Sequence, residues 1–229
     1  NVAPIAVRLS ALQRGGFAVL RSLLVLLALP AFAFAQEPLS TQAAQKLAQG
    51  TFREYLELLA MPNDAIVPAD IQKNADWLER AFRKRGFTTK QLENEGRPML
   101  YAEWPKKVVG AKTLLYYMHF DGQPVVPAEW TQPDPWKPVV KKRISGNWET
   151  IPADALFADK LDSDLRVFAR ASSDDKGPIL MFLAAFDGLK QLGLEPATNV
   201  KVLLDSEEEK GSPGIHAVAS ANKTLLETD

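Results

Sequence analysis

The chain has 229 residues, a formal net charge of −1, 46% hydrophobic residues and no cysteine. That composition suits a globular chain long enough for one domain with a full core, and its near-zero charge gives no basis for nucleic acid or an anionic membrane as partner. Disulfides and thiolate metal sites are excluded, so any metal has to be held by His, Asp or Glu.

At the N-terminus, Arg8, Arg14 and Arg21 form a basic stretch before the apolar run Leu23–Leu29, which Pro30 breaks. Ala33-Phe34-Ala35 then has the small-x-small form of a signal-peptidase site. Residues 1–35 are therefore expected to be a cleaved signal peptide, and 36–229 an exported chain in the periplasm or outside the cell. The alternative is an uncleaved anchor. Between Arg21 and Pro30 the apolar run is too short to cross about 30 Å of hydrocarbon comfortably, which favours cleavage and no stable membrane anchor.

From Thr41 to Ala60, Leu47, Phe52, Tyr55, Leu56 and Leu59 recur at helical spacing. A second helix is predicted over Ala69–Arg85, with Ile71, Ala75, Leu78 and Phe82 on one face and Gly86 as its stop. Phe87–Leu92 and Met99–Trp104 alternate like half-buried strands, while Thr113–Met118 is continuously apolar, as expected of a central strand covered on both faces. Gln123–Pro138 reads as an ordered loop, with Trp130 and Trp136 equally suited to lining a cleft or anchoring the loop. Lys141–Val167 carries no readable pattern. A helix to about Leu192, a strand Val200–Leu204, an acidic turn and a last helix from Gly214 complete the chain. Strands alternating with helices predict an α/β fold, a mostly parallel central sheet flanked by helices.

Three stretches carry chemistry. Asp174 and Asp175 sit in Ser172-Ser173-Asp174-Asp175-Lys176-Gly177-Pro178, at a loop-to-helix junction; the plain alternative is a helix N-cap. His119 and Asp121 end the apolar strand and, two residues apart in extended backbone, face the same way, which suits a ligating imidazole and its carboxylate orienter. Glu207-Glu208-Glu209 follows the strand Val200–Leu204; an acidic run is otherwise a solvated surface. Open α/β sheets place their sites at the C-terminal ends of strands. Three such ends delivering nitrogen and oxygen donors without sulfur are what a hydrolytic zinc centre needs.

These three blocks resemble the dinuclear zinc metallopeptidase and amidohydrolase family that includes carnosine-type dipeptidases, glutamate carboxypeptidase, aminoacylase and succinyl-diaminopimelate desuccinylase. His119-Phe120-Asp121-Gly122-Gln123-Pro124-Val125, followed by Trp130 and Asp134-Pro135-Trp136, is similar to the dipeptidase branch. Arg170–Gly177 resembles the family's bridging-aspartate block, and Glu208–Ser212 its paired-glutamate block. The resemblance implies two zinc ions, with cobalt or manganese suited to the same donors. It implies metal ligation by His119, Asp174 (bridging) and Glu209, with Asp121 orienting the imidazole and Glu208 as general base and acid. Implied partners are a small peptide or N-acyl amino acid substrate and, for the full-length protein, a homodimer. The family's later acidic ligand, its distant His and its lid domain have no counterpart here. Residues 36–229 are thus expected to be the N-terminal part of a catalytic domain, weak in metal binding and negligibly active alone.

The leading expectation is an exported zinc-dependent dipeptidase or carboxypeptidase-like enzyme. An N-acyl amino acid deacylase is the second enzyme reading. An exported, non-enzymatic binding module is the third, and it requires His119, Asp174 and Glu209 to lie far apart.

Overall fold

The computed structural model describes residues 39–132 and 134–229; the expected signal peptide lies outside the described residues. Helix α1 (Thr41–Leu59) starts where the Ser40 hydroxyl accepts the Ala43 N–H at 3.2 Å, a side-chain N-cap. Helix α2 (Pro68–Lys84) has Pro68 at its first position, Asp70 in its first turn and Arg83 and Lys84 in its last, all in the positions the helix dipole favours. It stops at Gly86, whose φ of +99° only glycine adopts readily.

Strands β1 (Thr88–Leu92), β2 (Met99–Glu103), β3 (Thr113–His119) and, much later, β7 (Asn199–Asp205) form one sheet in the order β1-β2-β7-β3. A small antiparallel sheet, β5-β4-β6, joins β4 (Val139–Ile144), β5 (Asn147–Ile151) and β6 (Arg166–Phe168). Helix α3 (Lys176–Gln191) follows it, and short helices α4 (Ile215–Ala221) and α5 (Lys223–Leu226) end the chain. Among the described residues no helix is long and apolar enough to cross a membrane.

One core joins α1, α2 and α3 to a face of the large sheet: Leu58, Leu78, Phe82, Ile179, Leu183, Val202 and Leu204 are all essentially inaccessible. Phe87 packs edge-on against Phe82, Trp104 and Phe186. Each fully buried side chain of this size contributes roughly 1.5–3 kcal/mol of transfer free energy. Arg85 ties the layer together from within, its guanidinium reaching Glu54 on α1 at 2.7 Å and Asp187 on α3 at 2.8 Å.

The α/β class stands, with helices flanking a sheet, but the sheet is mixed rather than mostly parallel. Only β3 and β7 run parallel; β1–β2 and β2–β7 are antiparallel. The short link between β1 and β2 reverses the chain, as an antiparallel pair allows. The apolar run Thr113–Met118 is also an edge strand among the described residues, not a central one. It pairs with β7 alone and leaves Leu114, Tyr116 and Tyr117 exposed. Within Lys141–Val167 lies the β4–β5 hairpin, turned by Ser145 (φ 48°) and Gly146 (φ 88°). Two successive left-handed residues make the turn whose twist matches its strands. Almost every β5 residue faces solvent, so no apolar alternation marks it.

The parallel pairing decides where the chemistry lies. In its register His119 stands opposite Asp205. The residues following β3 and those following β7 therefore leave the sheet side by side.

Candidate metal centre

His119 is the last residue of β3 and is buried. Its Nδ1 lies 3.3 Å from Asp121 Oδ1 and its Nε2 lies 2.8 Å from Asp174 Oδ1. Burial works against its charged form, but the hydrogen bonds to Asp121 and Asp174 and the charges of Asp121 and Asp175 outweigh it. The imidazole is raised from 6.5 to about 9.

Asp121 is fully buried. Its Oδ1 also accepts the Glu208 N–H at 3.0 Å, and its Oδ2 the Glu209 N–H at 3.1 Å. One carboxylate thus binds the imidazole and the backbone of the paired glutamates. The strand segment carrying it is braced by Asn63, which gives its amide to the Phe120 carbonyl at 2.8 Å and accepts the Gly122 N–H on its own carbonyl at 2.9 Å. A Cβ at Gly122 would meet the Asn63 side chain at 2.9 Å, so only glycine allows this approach.

Asp175 is the N-cap residue of α3 by position, yet its side chain accepts no helix N–H. It accepts the His119 N–H instead, at 3.1 Å. Burial, the largest influence on it, raises its pKa, opposed by that hydrogen bond and the His119 charge. The capping alternative therefore fails for both members of the acidic pair: Asp174 faces His119 and Asp175 holds the strand end.

Glu208 brings Oε2 to 3.8 Å from His119 Nε2. Glu209 turns the other way and accepts from Gln123 Nε2 at 3.0 Å. Together with Gln123, Arg170, Ser172, Ser173 and Asp174, Glu209 lines a polar cavity of about 140 Å³. Glu207 is buried behind them, held by Asn94 at 3.0 Å and Lys210 at 2.7 Å. His119, Asp174 and the paired glutamates thus share one rim of the sheet. The chain's other histidine, His216, is exposed on α4, away from this rim. Asp229 accepts the Thr113 N–H at 2.5 Å, at the opposite end of β3, about 20 Å of strand rise from His119.

The donor chemistry suits zinc, with imidazole nitrogen, carboxylate oxygens and a carboxylate on the far side of the ring. The geometry is drawn together: among the described residues no three donors converge at metal-ligating positions. His119 Nε2 and Asp174 Oδ1 are 2.8 Å apart, whereas two tetrahedral zinc ligands at about 2.0–2.1 Å stand roughly 3.3 Å apart. The Asp174 side chain is 73% exposed, so it has room to open by that amount.

Sequence reasoning missed Asn63, Tyr55 and Lys176. Tyr55 on α1 donates its hydroxyl to the Ser172 carbonyl at 2.5 Å. The Lys176 ammonium, completely buried, donates to the Leu58 and Met61 carbonyls at 2.9 and 2.8 Å. A lysine inside an apolar helix start was the available signal, since a buried lysine needs partners. Trp130 and Trp136 act as loop anchors: Arg170 lies over the Trp130 ring at 5.4 Å, and the Trp136 indole reaches Asn63 at 3.4 Å.

Residues 115–228 match the model of peptidase family M20/M25/M40. The Cys-Gly metallodipeptidase dug1 of Schizosaccharomyces pombe is 28% identical over 156 residues, covering 65% of this chain and 28% of that protein. The M20 family metallo-carboxypeptidase Sso-CP2 of Sulfolobus solfataricus superposes with a TM-score of 0.60 at 30% identity, over 78% of this chain and 35% of its own. Human carnosine dipeptidase 1 shares the fold, with a TM-score of 0.60 at 19% identity over 80% of this chain and 37% of its own. The chain spans well under half the length of each of these relatives. With β3, β7 and the start of α3 meeting at one rim as they do, residues 115–228 carry a peptidase family M20/M25/M40 domain.

Proposed function

We propose that the protein is a dinuclear zinc-dependent dipeptidase or carboxypeptidase-like hydrolase, exported from the cell and acting on amide bonds of small peptides. The observation that carries this reading is the His119 imidazole held between Asp121 and Asp174, with the Glu208 carboxylate 3.8 Å from its Nε2. The activities of the relatives, a Cys-Gly metallodipeptidase and a metallo-carboxypeptidase, support a peptide substrate.

In this reading His119, Asp174 and Glu209 would hold the metal ions. When bound, these would supply Lewis acidity toward a water and the scissile carbonyl. Asp121 keeps the proton on the Nδ1 side of His119, leaving Nε2 free to ligate. Glu208 takes a proton from the attacking water and returns it to the departing amine. The Glu208 carboxylate is partly exposed and so can reach a substrate in the cleft. Activity is proposed for the protein with its complete ligand set; neither His216 nor Asp229 completes it within these residues.

The deciding experiment is Glu208→Gln in the zinc-loaded protein that carries the complete ligand set. Dipeptide turnover is expected to drop by roughly 10²–10⁴-fold, the usual contribution of a positioned proton-transfer group, while bound zinc stays at the wild-type level. A variant with near wild-type turnover would remove Glu208 from the mechanism.

A further inference from the structure

Asp174 is an unusual place for a metal ligand to be held, because nothing encloses it. Its side chain is 73% exposed, and His119 is its one side-chain hydrogen-bond partner among the described residues. Its position must therefore come from the backbone on either side. Both sides are tied to α1, a helix that contributes no donor to the site. Two residues before Asp174, the Ser172 carbonyl accepts the Tyr55 hydroxyl. Two residues after it, Lys176 reaches back and gives its ammonium to the carbonyls of Leu58 and Met61.

The Leu58 carbonyl lies in the last turn of α1 and the Met61 carbonyl just past it, and α1 has no basic residue in its own last turn. Helix ends leave carbonyls without internal partners and carry partial negative charge, so a cation from α3 fits there. The segment also closes on itself at Gly177. A Cβ there would stand 2.4 Å from the Ser172 carbonyl oxygen, so glycine at 177 lets that carbonyl turn toward Tyr55. A buried, unpaired charge is expensive. A methionine at 176 would fill the same space but remove both ties, leaving the Leu58 carbonyl with only backbone N–H donors and the Met61 carbonyl without its ammonium partner.

We propose that Tyr55 and Lys176 are positioning residues of the metal centre: they pin the two ends of the Ser172–Lys176 segment to α1, so that α1 sets where Asp174 stands relative to His119. This rests on the reading of Asp174 as a metal ligand.

The test uses cobalt(II) alone as probe, titrated into the protein that carries the complete ligand set, as wild type, Tyr55→Phe and Lys176→Met, with visible absorption reporting ligand geometry and calorimetry the affinity. Leu78→Ala, in the core under α2, serves as a control that lowers the melting temperature away from the site. Tyr55→Phe and Lys176→Met are expected to weaken cobalt binding 10–100-fold, as loss of an outer-shell partner does, and to change the absorption band. Leu78→Ala should leave both readouts at wild-type values in the folded protein. Wild-type affinity and spectrum in Tyr55→Phe would overturn the proposal, as would changes no larger than those of Leu78→Ala. Should Lys176→Met not fold, Tyr55→Phe decides alone, since it removes a single oxygen. A wild-type protein with its complete ligand set that takes up no cobalt would be a different result, overturning the metal reading and this inference with it.

Discussion

The Asp121 carboxylate and the Glu208 backbone N–H meet at 3.0 Å, joining two segments separated by most of a hundred residues. The same carboxylate takes the Glu209 N–H and faces His119 Nδ1. It is therefore a junction for the whole site and not only an orienter of the imidazole. Replacing Asp121 by Ala leaves two part-buried N–H groups without this acceptor, at up to about 1–3 kcal/mol each. Denaturant titration of Asp121→Ala should show a loss in that range or above, and zinc calorimetry a 10–100-fold weaker affinity. Asp121→Asn keeps the shape but turns an NH₂ toward one of the donors, and should fall between the two proteins in both measurements.

The pH dependence follows from His119. Its folded-state pKa of about 9 lies above the ordinary value of 6.5. Below about 6.5 the imidazolium's stabilising contribution is fully present, and it is lost as pH rises through 9. The metal-free protein should accordingly show its melting temperature fall over this window. His119→Gln, whose amide has no comparable titration, should flatten that slope. Zinc competes with the proton on Nε2, so its apparent affinity should rise over the same interval, with proton release measurable by calorimetry in two buffers.

Gly177→Ala places a methyl 2.4 Å from a backbone oxygen, so the Ser172 carbonyl or the first turn of α3 has to shift. Overpacking of this kind costs about 1–3 kcal/mol. The shift should show as a lower denaturant midpoint with an unchanged slope.

The buried guanidinium of Arg85 serves two carboxylates on two different helices. Arg85→Ala leaves Asp187 without its partner and Glu54 with Lys84 alone; both carboxylates are partly exposed, so the loss should fall below the roughly 3–5 kcal/mol that breaking a fully buried pair costs. Thermal unfolding of Arg85→Ala should show it; the double variant with Asp187→Ala should recover part of the loss, because one stranded charge is gone.

Local physics was legible in the chain itself. The spacing of Ile71, Ala75, Leu78 and Phe82 and the stop at Gly86 describe α2 nearly as it stands. His119 and Asp121 fall at a strand end, and Glu208 and Glu209 follow another, because apolar runs break where polar residues begin. The donor types were equally readable, since a chain without cysteine has only imidazole and carboxylate to offer. The strand neighbours were not readable. Continuous apolarity in Thr113–Met118 states how greasy a strand is, not how many partners it has, and tertiary pairing left it at an edge. The hairpin at Ser145-Gly146 hid because β5 faces water and β4 buries two adjacent residues, Val140 and Lys141, so neither strand shows a period of two. Hydrogen bonds across long sequence separations are decided by which segments the folded core brings together. For that reason only the three-dimensional arrangement turned Lys176 from an oddity inside a helix start into a tie to α1, and turned Asp121 into the point where imidazole and glutamates are joined.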